Sequence, residues 1–111
     1  MTYPTKIKSN YSVSGIDILV MNVPEASLDA LLRTLHSELS VVKLGNGASL
    51  LFDDEEFAMI GVMFEHDLDI SDPDDRTALL QVLEGQAEKA VLSFNQQHGT
   101  HVVILEVNFV T

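Results

Sequence analysis

The chain of 111 residues has no cysteine. That excludes disulfide staples, thiolate metal sites and a cysteine nucleophile, and it agrees with a reducing compartment. Basic residues are scarce: six Lys and Arg stand against 17 Asp and Glu, for a formal net charge of -11. None of the six lies between Asp53 and Asp75, where ten of the 17 acids are gathered, so nearly all of the net charge belongs to that one stretch. Such a field attracts cations and basic protein surfaces, and it repels nucleic acid and anionic membranes. Direct binding to nucleic acid or membrane is therefore not expected. Long apolar runs are missing too: nothing approaches the roughly 20 residues that span a bilayer, and no apolar run follows Lys6 and Lys8 as it would in a secretory signal. A cytoplasmic location is the expectation.

What is present reads as a folded domain. Hydrophobic residues make up 46% and charged residues 21%, which belongs to a globular chain and not to an acidic disordered tail. The length suits one domain with a real core. Residues 1–12 are polar, contain Pro4 and show neither helical nor strand period, so they read as an arm or a short edge strand; residues 13–111 form the expected α+β domain. A β-branched run over Ile16–Val23 predicts a strand that Pro24 ends. Leu28, Leu31, Leu32, Leu35 and Leu39 recur at helical spacing and predict a helix over 24–39. Gly45-Asn46-Gly47 interrupts 41–52 as a hairpin loop or a bulge. Asp53 to Glu56 read as a turn into a strong strand over Phe57–Phe64. Asp72 as N-cap, Pro73 at the first helical position and Asp75 in capping-box position start a long helix that Gly99 stops. A Val- and Ile-rich strand, His101 to Val110, follows. The order β-α-β-β-α-β is that of the split βαβ, ferredoxin-like arrangement, an antiparallel sheet with two helices on one face and one extra hairpin if Gly45–Gly47 turns the chain.

A sheet covered on one side alternates apolar with polar residues. Here the alternation is incomplete, because neither set of residues on 57–64 carries a charge. The face away from the helices is expected to expose Leu19, Met21, Met59, Met63 and Ile104 among Asp17, Glu106 and Asn108. An apolar patch of that kind marks an interaction surface. A homodimer through it is the expected assembly, the alternative being that the N-terminal arm or an extra hairpin covers the face within one chain.

Motifs for chemistry are weak. Asp67-x-Asp69-x-Ser71 opens like an oxygen-ligand loop, but the EF-hand pattern then requires glycine and glutamate where the chain has Asp72 and Ala78. An irregular divalent-cation site would draw on Asp67, Asp69 and Asp72. His66, His98 and His101 lack the convergence a zinc site needs, and His98 suits a helix C-terminus. There is no nucleophile elbow, phosphate-binding glycine loop or H-E-x-x-H helix. Asp17, Glu106 and Glu65 with His66 or His101 are the acid–base set that an enzyme would have to use.

The acidic stretch carries the functional expectation. Asp53, Asp54, Glu55 and Glu56 precede the 57–64 strand, and Glu65, Asp67, Asp69 and Asp72 follow it. Eight strand residues separate the two groups by about 26 Å. The expected function is a small non-enzymatic interaction module, an inhibitor, adaptor or chaperone. It would present these carboxylates to a basic partner, and they would imitate phosphate charge if that partner binds nucleic acid. The alternatives are a ligand-binding or enzymatic domain with its pocket at the dimer seam, and a divalent-cation-binding protein. No cofactor is implied.

Overall fold

A computed structural model describes residues 11–54 and 56–111. The elements are β1 (Ser12–Met21), α1 (Leu28–Glu38), β2 (Leu44–Asp53), β3 (Phe57–Asp69), α2 (Pro73–His98) and β4 (Val103–Val110), with a 3-10 turn at Glu25–Ser27 leading into α1. The strands form one antiparallel sheet in the order β2-β3-β1-β4, so the fold is α+β with two helices. No helix among the described residues is long and apolar enough to cross a membrane. The arm expected at 1–12 lies outside the described residues as far as Asn10. At its end Ser12 is paired with Asp69, and the Tyr11 carbonyl accepts the Ile70 N–H at 2.7 Å.

Local chemistry accounts for the helix boundaries. Pro24 is extended, and the Ser27 N–H bonds back to its carbonyl at 2.9 Å, which closes a tight turn before the α-helical spacing begins. The α-helix therefore starts at Leu28, where the leucine period begins, and not at residue 24. At α2 the Asp72 carboxylate accepts the Asp74 N–H at 2.9 Å, and Pro73 occupies the first turn where its missing N–H costs nothing. No bond returns from Asp75 among the described residues, so the cap is one-sided. Gly99 ends the helix at φ 64, a left-handed conformation that glycine adopts without strain.

The core forms between the helices and one face of the sheet. Ile16, Ile18, Val20, Ala58, Ile60, Val62, Phe64 and Val107 meet Leu31, Leu35 and Leu39 from the α1 side, and Leu83, Ala87, Ala90, Val91 and Phe94 from α2. No polar or charged residue is buried among the described residues. Each fully buried Leu or Ile contributes about 1.5–3 kcal/mol, which is what holds two helices on a sheet with few polar anchors.

Irregular pairing shapes both faces. Leu44 pairs with Phe64 and Ala48 with Val62, so Gly45-Asn46-Gly47 is a bulge inside β2 and not the extra hairpin. Gly47 supplies its positive φ of 84, and His36 Nε2 on α1 lies 3.0 Å from the Gly45 carbonyl oxygen. A second irregularity inserts Leu51 between Leu50, opposite Ile60, and Phe52, opposite Met59. A third inserts Leu105 between Ile104, opposite Val20, and Glu106, opposite Leu19. That last insertion corrects one expectation: Ile104 packs on the helix side with Phe109, because the extra residue breaks the strict alternation that would have put it with Glu106.

Candidate functional site

Every described carboxylate of the 53–75 stretch is exposed. Asp53 ends β2, Asp54 and Glu56 form the β2–β3 turn, and Glu55 lies outside the described residues. β3 continues to Asp69, so Glu65, Asp67 and Asp69 stand on the strand itself and not in a loop beyond it. Leu68 between them packs against the core, so Asp67 and Asp69 point away from it. At about 3.3 Å per residue the acids extend over about 43 Å of β3 as two groups, one at the turn and one over Glu65–Asp69, with the uncharged 57–64 run of about 26 Å between them. They then turn the corner through Asp72, Asp74 and Asp75.

These charges are not neutralised locally. Among the described residues one ion pair is present, His66 with Glu65 at 3.7 Å, and both side chains are well exposed, so it contributes little. Arg76, the first base after the stretch, is otherwise engaged. Its guanidinium donates to the Ile70 and Ser71 carbonyls at 2.9 and 3.1 Å and lies 3.9 Å from the centre of the Tyr11 ring. Two of the acids also have structural work. Asp72 caps α2, and Asp54 accepts the N–H groups of Phe57 and Glu56, each at 2.9 Å. Those bonds favour the ionised form and hold the Asp54 carboxyl below its usual range.

At the turn end the acids border a cleft of about 650 Å³. Met21, Val23, Leu28 and Phe57 give it an apolar lining, and Asp53, Asp54, Glu56 and Glu25 bring carboxylates to it. Glu25 was missed as a site residue because its place at a helix start already explains it. A cleft with apolar walls and carboxylates fits an aliphatic chain that ends in a cation, such as a Lys or Arg side chain.

The sheet face away from the helices is a second surface. Register places Met21 beside Phe57, Leu19 beside Met59, Asp17 beside Gly61, and Gly15 beside Met63. The two single-residue bulges add Leu51, Phe52 and Leu105, and Val103 joins from β4 opposite Met21. Leu51, Phe52, Met63, Val103 and Leu105 are between 41% and 53% exposed, an unusual apolar content for open surface. Sequence reasoning missed these added members, since a bulge has no simple periodic signature. Near the centre is Asp17, whose Oδ1 is buried without a hydrogen-bond partner; this burial pushes its carboxyl above the ordinary value.

The remaining sequence candidates are scattered. Among the described residues no three His, Asp or Glu side chains gather as a metal site, so Asp67, Asp69 and Asp72 do not converge. His98 stacks on Phe94 with ring centroids 4.3 Å apart. His66 lies near the Val13 end of β1 and His101 near the Met21 end. Asp17, Glu106 and Glu65 therefore gain no common histidine. A scan of protein-family models finds no match to the chain, and a search of curated proteins finds none either.

Proposed function

We propose that the chain is a non-enzymatic interaction module with the ferredoxin-like arrangement, and that it presents its acidic 53–75 surface to a basic partner protein. The antiparallel order β2-β3-β1-β4, with a helix after β1 and another after β3, supports that arrangement. One observation carries the functional reading: along this surface every described carboxylate is exposed, and no described Lys or Arg lies within 4.0 Å of any of them. Ordinary surfaces intersperse the two signs. A surface kept free of cations gains most from cations supplied by something else.

The partner's groove would meet the carboxylates of Asp53, Asp54, Glu56, Glu65, Asp67, Asp69 and Asp72 along β3 and the α2 cap. A projecting Lys or Arg would enter the cleft beside Glu25, its stem against Met21, Val23, Leu28 and Phe57. The acidic field speeds association, and the apolar contacts slow release. A nucleic-acid-binding protein is a suitable partner, since its groove is built to accept a row of negative charge.

The test compares wild type with a variant carrying Asn or Gln at Asp53, Glu56, Glu65, Asp67 and Asp69, which spares the two acids with structural bonds. Each is used to capture proteins from source-cell lysate, and the captured protein is then titrated against both forms at two salt concentrations. The expected result is one basic protein retained by wild type, released by salt and bound at least about 10-fold more weakly by the variant. Equal capture by both forms overturns the reading.

A further inference from the structure

The open sheet face adjoins the acidic surface, sharing Met21 and Phe57 with the cleft, and its occupant can be inferred from its size and its polar centre. Four strands at about 4.8 Å spacing, over the run Gly15–Met21 at about 3.3 Å per residue, give a face of about 19 by 23 Å, roughly 440 Å² in plan. Side-chain relief makes the accessible area larger than the plan. Two such faces pressed together bury about 880 Å² in plan, which with that relief approaches the roughly 1,000 Å² total of a specific interface. A single side chain or short segment would leave most of it wet.

The polar centre is self-complementary. Asp17 on β1 lies directly across from Asn108 on β4, which is exposed. Asp17 accepts no hydrogen bond from any described residue: its Oδ1 is shielded inside the chain, and its Oδ2, which is not, is the acceptor left for a donor from outside. We propose that this face is the interface between two copies of the chain, related by a two-fold axis over the Asp17–Asn108 pair, so that Asn108 of each copy donates to Asp17 of the other. Isologous contacts of this kind close into a dimer, and no further copy can add. The bulged Leu51 and Leu105 lie on either side of that centre and supply apolar area.

Acid should tighten the dimer. The groups facing Asp17 are Gly61, Met59 and Met63 from β3, which do not titrate, and Asn108 and Glu106 from β4. The second copy brings the same set, so the seam gathers carboxylates and no base. Covering it disfavours ionisation further, and protonation relieves that cost. Added salt should also tighten it, by screening repulsion between two chains of formal charge -11. Binding to a basic partner responds to salt in the opposite sense, so failure of one proposal is distinguishable from failure of the other.

The experiment is sedimentation equilibrium of the full chain across protein concentration, at about pH 5 and about pH 8 and at two salt levels. Wild type is expected to be dimeric, and tighter at the lower pH and the higher salt. Met63→Gln with Leu105→Gln changes two exposed side chains, so folding survives, as circular dichroism verifies; it should weaken association at least about 10-fold. Asp17→Asn should stay dimeric and lose the pH response. A monomer at every condition overturns the proposal, and so does a double variant that associates as tightly as wild type.

Discussion

Asn95 grips Val102 with both ends of its amide: Nδ2 donates to the Val102 carbonyl at 3.0 Å, and Oδ1 accepts the Val102 N–H at 2.9 Å. The same Oδ1 accepts the Thr100 hydroxyl at 2.8 Å, so one side chain closes the turn between α2 and β4. Asn95→Ala removes these bonds and leaves partly buried groups without partners. A loss of about 2–3 kcal/mol is expected in urea unfolding. Asn95→Asp keeps the acceptor and loses the Nδ2 donor, so it should cost less.

Asp17 supplies a pH prediction with a definite sign. Burial raises its carboxyl above the ordinary value of 3.8. For a group whose folded value is raised, the contribution to stability is fully present below the unfolded value and is lost as pH rises through the folded one. Asp17→Asn should therefore melt higher than wild type at neutral pH, in dilute solution. The gap should close as pH falls below 3.8, which thermal melting across pH will read.

Asp54 acts in the opposite sense. Its bonds from the Phe57 and Glu56 N–H groups lower its carboxyl below 3.8, so the turn is strengthened above that pH and weakened as pH falls through the folded value. Asp54→Ala should lower the melting temperature at neutral pH and flatten the acid limb of the stability profile. Asp54→Asn keeps an acceptor and should lie between the two.

Three glycines should respond differently to alanine. A Cβ at Gly15 would lie 2.5 Å from the Val62 carbonyl oxygen and 2.8 Å from Met63 Cα, backbone atoms that cannot move aside cheaply. Gly15→Ala should cost about 1–3 kcal/mol or more. Gly99→Ala meets no atom within 4 Å but must adopt φ 64, and should cost about 1 kcal/mol. Gly85→Ala sits inside α2 with nothing within 4 Å, and should stabilise by about 0.4–1 kcal/mol. Denaturant midpoints of the three variants provide the check.

The elements were legible where one physical signal dominated. The leucines of α1, the Asp72-Pro73 start and Gly99 stop of α2, and the β-branched runs of β1, β3 and β4 each correspond to the structure. The acidic stretch was plain from charge alone. Leu51 and Leu105 were not legible as bulges, because an inserted residue is set by pairing with a neighbouring strand and leaves no mark in its own segment. That is why Ile104 fell on the wrong face and Phe52 and Val103 were overlooked. The length of β3 was hidden for a related reason. Glu65 to Asp69 look like solvated loop residues, yet backbone pairing of Val13 with Leu68 and Ser12 with Asp69 keeps them in the sheet.

The inserted residues also have a bearing on solubility. β2 and β4 are the outer strands, and a regular outer strand offers an unbroken row of free N–H and C=O groups to any extended chain in solution. In β2 that row is interrupted at Gly45–Gly47 and again at Leu51, and in β4 at Leu105. An incoming strand can bond only a few residues before its spacing fails. A chain whose strands are rich in Val, Ile and Leu is thereby kept from lengthening its sheet sideways into fibrils.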